Sequence, residues 1–295
     1  MNKPLFLTGG SDIISCELCP HFCKIKNGSF GLCGARGNKG GIGIIPFYGF
    51  ITALAMDPIE KKPLYHFKPG SQILSLGFAG CNLRCPFCQN WHISQLTDIS
   101  KGAPSGKYMK PGEIISAALK HNSPSIAYTY SEPLIHIEFL LDCMTLARKH
   151  GIANVLVSNG SICANNENSP AAEILALTSA ANIDLKCFSE ETYKKCLGGN
   201  LETTLDFIKL AYSMGVHLEV TTLVVPDLND SDEELDKIAA FLASVENTDK
   251  RAIPWHLTAY HPDYRWNAPR TDPAFLRRTA LRAKNILRYV HTGNV

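Results

Sequence analysis

Three cysteines lie close together in the segment CNLRCPFCQN, at positions 81, 85 and 88. Their thiolates could bind a soft metal, either zinc or the iron of an iron–sulfur cluster. A structural zinc site uses four protein ligands, so zinc here would need a distant fourth cysteine. Three thiolates on one loop can instead hold three irons of a [4Fe–4S] cluster and leave the fourth iron open. Cys81, Cys85 and Cys88 therefore predict a cluster whose open iron is a substrate site.

A second group of cysteines lies near the N-terminus, in the segments CELCPHFC and GLCGARGN. Four thiols are enough to close a metal site, and the surrounding glycines allow tight turns. A short glycine-rich segment gains little from packing, whereas structural zinc contributes about 10–16 kcal/mol to the folding of small peptides. We predict a closed metal site that holds zinc, our first choice because it needs no redox chemistry, or a second [4Fe–4S] cluster; unligated thiols are the alternative. The ligands would be Cys16, Cys19, Cys23 and Cys33.

Apolar runs typical of buried β-strands alternate with helical patterns after about residue 70. The predicted strands cover residues 72–79, 125–130, 154–159, 181–186, 217–225 and 253–260. Helices are indicated by apolar spacings of three and four, by a Ser231–Glu234 capping box and by Asp272 before Pro273. This alternation predicts an α/β fold with a partial (β/α)6 barrel at residues 71–295, preceded by a Cys-rich module at residues 1–70.

Polar residues follow several of these strands, at the end of the barrel where active sites form. The cysteine loop follows the first strand, and the segment YTYSEP follows the second. In the fourth strand, Asp184 and Lys186 are two residues apart, so both side chains should face the lumen. The alternative for this pair is a structural ion pair. The alternative for Glu132 is a carboxylate at the start of a helix, beside Pro133.

The cysteine loop resembles a motif of a known superfamily. CNLRCPFC, with the aromatic Phe87 before its third cysteine, is similar to the Cys-x3-Cys-x2-Cys motif of radical S-adenosylmethionine (radical SAM) enzymes. In that superfamily the open iron is chelated by the amino and carboxylate groups of S-adenosylmethionine. Donation of one electron then cleaves the sulfonium bond and yields a 5′-deoxyadenosyl radical. The resemblance implies a [4Fe–4S] cluster and S-adenosylmethionine as cofactors, in a barrel of the radical SAM type.

The resemblance also implies roles for polar residues at the strand ends. YTYSEP occupies the place where these enzymes keep a Gly-Gly-Glu-like segment for the cofactor amino group, although it lacks the glycines. Asp184 and Lys186 match a pair used near the cofactor, and His256 matches a position near the adenosyl group; a packing histidine is the alternative. The implied cofactor-binding residues are Phe87, Tyr130, Ser131, Glu132, Ser158, Asn159, Asp184, Lys186 and His256, of which the last three are also the catalytic candidates.

Longer stretches of the chain are similar to one branch of these enzymes. The similar segments are CELCPHFCKIKNGSFGLCGARGN, DPIEKKPLYHF, PGSQILSLGFAGCNLRCPFCQNW, HLEVTTLVVPDLND and PWHLTAYHPDY. Together they resemble the radical SAM enzyme of the AmmeMemoRadiSam system, which is related to pyruvate formate-lyase activating enzymes. This resemblance implies Memo-like and AMMECR-like protein partners, and a reductant such as flavodoxin or ferredoxin.

Three functions follow from these features. In the first, the radical removes hydrogen from a small organic substrate in an oxidoreductase-like, anaerobic reaction. In the second, the protein is a glycyl-radical enzyme activase, which takes hydrogen from a glycine of a large partner. The third is a non-enzymatic iron–sulfur electron-transfer protein, for which an open iron would be superfluous. The open iron predicted at Cys81, Cys85 and Cys88 favours an enzyme.

Composition limits the location of the protein and its partners. The chain has 295 residues, of which 45% are hydrophobic and 19% charged, and its formal net charge is +2. No segment is apolar for long enough to cross a membrane, and the N-terminus does not resemble a signal peptide. The small net charge gives no general electrostatic reason to bind nucleic acid. We expect a cytoplasmic protein, where reducing conditions favour metal or redox roles for its 11 cysteines.

Overall fold

The computed structural model describes residues 4–10, 12–96, 104–164, 169–246 and 251–295. The strands are β1 (Leu7–Gly10), β2 (Ile13–Cys16), β3 (Lys24–Lys26), β4 (Gly37–Lys39), β5 (Ile42–Ile44), β6 (Phe50–Ile51), β7 (Ala53–Pro58), β8 (Gln72–Gly77), β9 (Lys107–Tyr108), β10 (Ser125–Thr129), β11 (Ala153–Ser158), β12 (Ala180–Asp184), β13 (His217–Val224), β14 (Trp255–Ala259) and β15 (Val290–Gly293). The helices are α1 (Trp91–Ser94), α2 (Pro111–Lys120), α3 (Ile137–Lys149), α4 (Pro170–Leu175), α5 (Glu190–Thr192), α6 (Leu201–Ser213), α7 (Asp232–Glu246) and α8 (Pro273–Ala283). Short 3-10 turns cover Ile59–Lys61 and Pro133–His136, and a π-helical turn covers Tyr193–Leu197.

The main sheet has eight strands in the order β15-β14-β13-β12-β11-β10-β8-β7. Strands β8 and β10 to β15 pair in parallel, and helices connect them, as in a partial barrel. All six predicted strands are present, so the predicted α/β fold is confirmed. The sheet also contains β15 and the antiparallel edge strand β7, which we did not predict. Because β7 precedes residue 70, the Cys-rich module and the barrel share one sheet.

Both predicted helix starts are present, but only one has all of its predicted capping hydrogen bonds. Asp272 caps α8, because its carboxylate accepts the N–H groups of Ala274 and Phe275 at 2.9 and 3.2 Å. The Ser231 hydroxyl accepts the N–H of Glu234 at 3.1 Å, as the predicted capping box requires. In a full capping box the Glu234 carboxylate would accept the N–H of Ser231. It accepts the N–H of Phe188 instead, in the loop after β12, so this part of the prediction was wrong.

A buried ion pair attaches the N-terminal module to the barrel. Arg36 and Glu138, the latter on α3, form two hydrogen bonds of 2.9 Å, and their side chains are 1% and 6% exposed. The Glu138 carboxylate also accepts the N–H of Leu5 at 2.7 Å. The guanidinium fork matches a carboxylate in this bidentate geometry, which fixes the module against α3.

Residues 59–67, which we call the strap, leave β7 and enter the barrel lumen. Leu64 is fully buried in a cluster with Ala127 and Val155, which point inward from β10 and β11. The Pro63 carbonyl accepts a 2.8 Å hydrogen bond from Asn182 on β12. The strap therefore fills the lumen below the C-terminal ends of the strands.

Glu219 on β13 anchors the strap. Its buried carboxylate accepts the N–H groups of Tyr65 and His66 at 3.0 and 2.8 Å, and lies 3.0 and 2.6 Å from Nε2 of His217 and His256. Burial alone would raise the pKa of Glu219, but these hydrogen bonds lower it from 4.5 to about 2. The ionised carboxylate thus holds the strap in the lumen.

We expect Glu219→Gln to lower the free energy of unfolding by about 1.5–3 kcal/mol at pH 7, because it removes charge-assisted hydrogen bonds. A folded-state pKa lowered from 4.5 to about 2 contributes stability that is present above pH 4.5 and lost as the pH falls toward 2. The difference between parent and variant should therefore shrink over that range. Urea unfolding at pH 7, 4.5 and 3 tests this, and a difference that does not change with pH would contradict the assignment.

Candidate active site

A cavity of about 320 Å³ opens at the C-terminal ends of the parallel strands. Its position matches the end of the barrel at which βα units place their functional groups. Most of the predicted site residues come together there. Those that line the cavity are Cys81, Cys85, Cys88, Phe87, Tyr130, Ser131, Glu132, Ser158, Asn159, Asp184 and Lys186.

The cysteine loop starts directly beyond β8. Gly80 has a φ of +92°, and a Cβ atom there would lie 2.5 Å from the carbonyl oxygen of Cys33, so only glycine fits. The Cys81 sulfur accepts the N–H of Leu83 at 3.3 Å, and the Cys88 sulfur lies 3.3 Å from the hydroxyl of Ser94. These contacts hold the loop at the cavity.

The thiols of this loop are suited to a cationic metal centre. Burial raises the pKa of Cys81 well above its usual range, and the charges of Glu132, Cys85 and Cys88 raise it further. Burial raises the pKa of Cys85 to about 12, and Cys88 adds to this rise while Lys186 opposes it. Thiols that disfavour each other's ionisation are deprotonated when a metal supplies the opposing positive charge.

Three thiols on one loop match the protein ligands of a [4Fe–4S] cluster with one open iron. Within the described ranges, no three His, Cys, Asp or Glu side chains are arranged to hold one metal ion. In a [4Fe–4S] cluster each cysteine binds a different iron, so the sulfurs need not converge on one point. The residues present therefore fit a [4Fe–4S] cluster bound through Cys81, Cys85 and Cys88.

Glu132 has a capping role and also lines the cavity. Its side chain, on a residue 1% exposed, accepts the N–H of Leu134 at 3.0 Å, which is the helix-terminal alternative stated above. It also accepts the Ser158 hydroxyl at 2.7 Å and the N–H of Asn159 at 2.9 Å. Burial raises the pKa of Glu132 to about 7, although these hydrogen bonds oppose the rise. Glu132 thereby positions Asn159, whose amide lies 3.7 Å from the Cys81 sulfur.

If the cofactor amino group donates to Glu132, Glu132→Gln should weaken S-adenosylmethionine binding by about 1.5–3 kcal/mol and leave the iron content unchanged. Calorimetric titration of anaerobically reconstituted protein, combined with iron analysis, measures both quantities. Glu173→Gln, at an exposed position of α4, is the matched control and should bind as the parent does. Parental affinity in Glu132→Gln would leave the residue with its capping role alone.

Asp184 and Lys186 lie together at the end of β12, as the alternation predicted. Their ion pair measures 2.9 Å, and both residues line the cavity. Burial would lower the pKa of Lys186, but the charges of Asp184 and Cys85 outweigh it and raise the pKa. The ammonium is therefore charged beside the cysteine loop, where it can offset thiolate charge.

His256 is not among the described residues that line the cavity, in contrast to the position expected for it. It lies one layer deeper, 2.6 Å from Glu219 and with its ring centroid 4.7 Å from that of Tyr65 on the strap. Thr258, two residues further along the same face of β14, lies at the level of the cavity instead. This placement agrees with the packing alternative for His256.

Some cavity residues were missed in the sequence. The strap contributes Lys61, Lys62 and Pro63 to the lining. Thr221 also lines the cavity, as the alternation along β13 allows. Two adjacent lysines inside the segment DPIEKKPLYHF, close after Asp57, were the available signal. Their position in the lumen depends on the path of the strap, which no local pattern shows.

The four N-terminal cysteines also come together, around the turn between β2 and β3. The N–H of Cys16 donates to the carbonyl of Cys23 at 2.9 Å, and the Cys23 sulfur accepts the N–H of Leu32 at 3.5 Å. Burial raises the pKa of Cys19, and the neighbouring charges of Cys33, Cys16 and Cys23 raise it further. This group lies beside the cysteine loop of residues 81–88. The His21 ring, between Cys19 and Cys23, is 2.7 Å from the carbonyl of Asn82 in that loop.

Comparisons with known proteins agree with this arrangement. Residues 76–242 match the family model of the radical SAM superfamily. The uncharacterized protein MJ0808 of Methanocaldococcus jannaschii is 39% identical over 287 residues, which are 96% of this chain and 81% of that protein. The pyruvate formate-lyase-activating enzyme of Clostridium pasteurianum is 27% identical over 189 residues, 61% of this chain and 73% of that enzyme.

Solved structures share the fold. A radical SAM methyltransferase from Sphaerobacter thermophilus superimposes with a TM-score of 0.56 at 14% identity, over 77% of this chain and 67% of that chain. Streptococcus suis SuiB bound to S-adenosylmethionine gives a TM-score of 0.55 at 15% identity, over 73% of this chain and 48% of that chain. None of the helices in the described ranges is long and apolar enough to cross a membrane. The family match extends from β8 into α7, more than half of the 295 residues, and so this chain belongs to the radical SAM superfamily of enzymes, whose cofactors are a [4Fe–4S] cluster and S-adenosylmethionine.

Proposed function

We propose that the protein removes hydrogen from a small organic substrate held in the 320 Å³ cavity. The observation that carries this proposal is that Cys81, Cys85 and Cys88 line the same cavity as Glu132 and the Asp184–Lys186 pair. When bound, the cluster supplies the electron that cleaves S-adenosylmethionine to a 5′-deoxyadenosyl radical.

The residues of the chain bind, orient and shield the reactants. Cys81, Cys85 and Cys88 ligate the cluster, and the other groups at the strand ends bind S-adenosylmethionine. Glu132 orients Asn159 beside the cysteine loop, and Lys186 keeps a positive charge close to the thiolates. The strap closes the lumen from below, which limits both the size of the substrate and the access of water.

The strap fills the lumen below the strand ends, and this is the feature that leads us to place a small substrate first. The similarity to pyruvate formate-lyase activating enzymes supports the activase as the second candidate. Memo-like and AMMECR-like proteins are the partners we propose, with a flavodoxin or ferredoxin as electron donor.

A second metal at Cys16, Cys19, Cys23 and Cys33 is also part of this proposal. The four thiols lie close enough to influence one another electrostatically. Four thiolates fit either zinc or a second [4Fe–4S] cluster, and zinc remains our first choice because a closed thiolate site needs no redox chemistry.

The test is an anaerobic incubation of the reconstituted protein with S-adenosylmethionine, reductant and the candidate partners, followed by mass spectrometry of all products. We expect 5′-deoxyadenosine together with one new small-molecule product. A glycyl-radical signal on an added protein, measured by electron paramagnetic resonance, would support the activase instead. Absence of 5′-deoxyadenosine with every reductant would contradict both functions.

A further inference from the structure

Lys62 is a buried cation in the wall of the cavity that the proposed function leaves without a role. Its side chain is 3% exposed, and its Nζ lies 2.8 Å from Asp57 and 4.3 Å above the ring of Tyr130. An ammonium group has three N–H donors, and in the described part of the chain Asp57 is its one hydrogen-bond acceptor. A buried charged group with unused donors costs free energy unless a ligand in the cavity accepts from it.

Two neighbours hold Lys62 in place. The Tyr130 hydroxyl donates to Asp57 at 2.6 Å, so the aspartate contacts both the ammonium and the ring beneath it. Tyr130 has a φ of +70°, a left-handed conformation that is strained for a residue other than glycine. Strain of this kind persists where the surrounding contacts fix the residue, and it concentrates at binding sites.

The wall around Lys62 has an excess of positive charge. Lys61 also lines the cavity, is 68% exposed, and lies 3.7 Å from the same carboxylate of Asp57. Burial alone would raise the pKa of Asp57, but hydrogen bonds from Lys62 and Tyr130 lower it to about 2. Burial lowers the pKa of Lys62, and its hydrogen bond to Asp57 opposes this fall. Two lysines thus face one carboxylate, which favours an anionic ligand.

The carboxylate of S-adenosylmethionine is not the anion that this wall would bind. The resemblance to radical SAM enzymes implies that this group binds the open iron, beside Cys81, Cys85 and Cys88. Lys62 enters the cavity wall from the strap, where its ammonium contacts Asp57 and the ring of Tyr130. Lys186 is the ammonium whose charge acts on Cys85.

We propose that Lys62 binds an oxyanion, a carboxylate or phosphate, of the substrate, and that Asp57 and Tyr130 are its positioning residues. The inference rests on the proposed function and narrows its substrate to a small acid or phosphoester. A backbone glycine of a partner protein carries no such group. Lys61, at the mouth of the cavity, adds attraction for the same charge.

The test is calorimetric titration of the anaerobically reconstituted protein, loaded with S-adenosylmethionine, using succinate and inorganic phosphate as probes at constant ionic strength. We expect the parent to bind one probe at a single site, the tighter of the two showing whether the substrate oxyanion is a carboxylate or a phosphate. Lys62→Gln should weaken that binding at least tenfold, roughly the loss of one charge-assisted hydrogen bond. Lys68→Gln is the matched control, because Lys68 is exposed and contacts the Pro124 carbonyl. This variant should bind the probe with an affinity within twofold of the parent's.

Two further measurements keep the test independent of folding. Lys62→Gln leaves Asp57 without its ammonium, so Asp57→Asn/Lys62→Gln is prepared as a variant without an unpaired buried charge. Both Lys62 variants should bind S-adenosylmethionine with parental affinity, which shows that they are folded.

The outcomes separate the inference from the proposed function. If the parent binds neither probe, or if both Lys62 variants bind the tighter probe as well as the parent does, the inference is overturned. It is also overturned if Lys62→Gln loses affinity for S-adenosylmethionine, which would make Lys62 a cofactor-binding residue. A parent protein that binds no S-adenosylmethionine would instead contradict the proposed function.

Discussion

Simultaneous replacement of Cys81, Cys85 and Cys88 by alanine should reduce 5′-deoxyadenosine formation to the level of the enzyme-free control. The three thiols line the cavity on one loop, and without them no group remains to hold the iron that binds the cofactor. Iron should be lost from this site while the metal at the N-terminal cysteines is retained. Product quantification by mass spectrometry and metal analysis on the same anaerobic preparation measure both effects.

The control for this variant is Cys143→Ala, because Cys143 is a fully buried cysteine of α3 outside both groups of ligands. It should cleave S-adenosylmethionine as the parent does, at a modest cost in stability for the small cavity it creates. Undiminished 5′-deoxyadenosine from the triple variant would contradict the assignment of the cluster to this loop.

Removing Cys16 and Cys19 together should loosen the N-terminal module. The segment before β7 consists of short strands and glycine-rich turns, although Leu18 and Ile25 pack into the main core. We therefore expect the proposed metal to offset much of the entropy lost when the segment is ordered. We expect the double alanine variant to lose the second metal and to be cut by trypsin in this segment much faster than the parent. The Arg36–Glu138 ion pair alone should not restore the parental resistance.

Metal analysis of the Cys81/Cys85/Cys88 triple variant isolates this second site. About four irons with sulfide per chain would support the second [4Fe–4S] cluster, whereas about one zinc and no iron would make the site structural. If the Cys16/Cys19 variant resists protease as the parent does and keeps full activity, the module has neither role.

The sequence predicted the parts of the fold that have strong local patterns. The six predicted strands are buried from both sides and are nearly continuous apolar runs, which short windows detect. Strand β15 has the sequence VHTG, with one apolar residue, and forms because the edge of β14 is available to pair with it. A partner of this kind is a property of the tertiary structure, so no local pattern could predict it.

In the candidate site, too, local patterns predicted some positions and the tertiary structure determined others. Alternation along β12 correctly placed Asp184 and Lys186 on one face, because two residues per repeat determine the face of a strand. Alternation does not determine depth, so His256 shares the inner face of β14 with Thr258 but lies below the cavity. Lys62 could not be placed, since its position depends on a strap that enters the lumen from outside the alternating units.

The central claim is that the cluster at Cys81, Cys85 and Cys88 has an open iron that binds S-adenosylmethionine. Electron paramagnetic resonance of the anaerobically reconstituted and reduced protein tests it most directly, with spectra recorded before and after addition of S-adenosylmethionine. The parent and the Cys16/Cys19 variant should both show a [4Fe–4S] signal that changes when the cofactor is added. A cluster signal that is identical with and without S-adenosylmethionine would contradict the account.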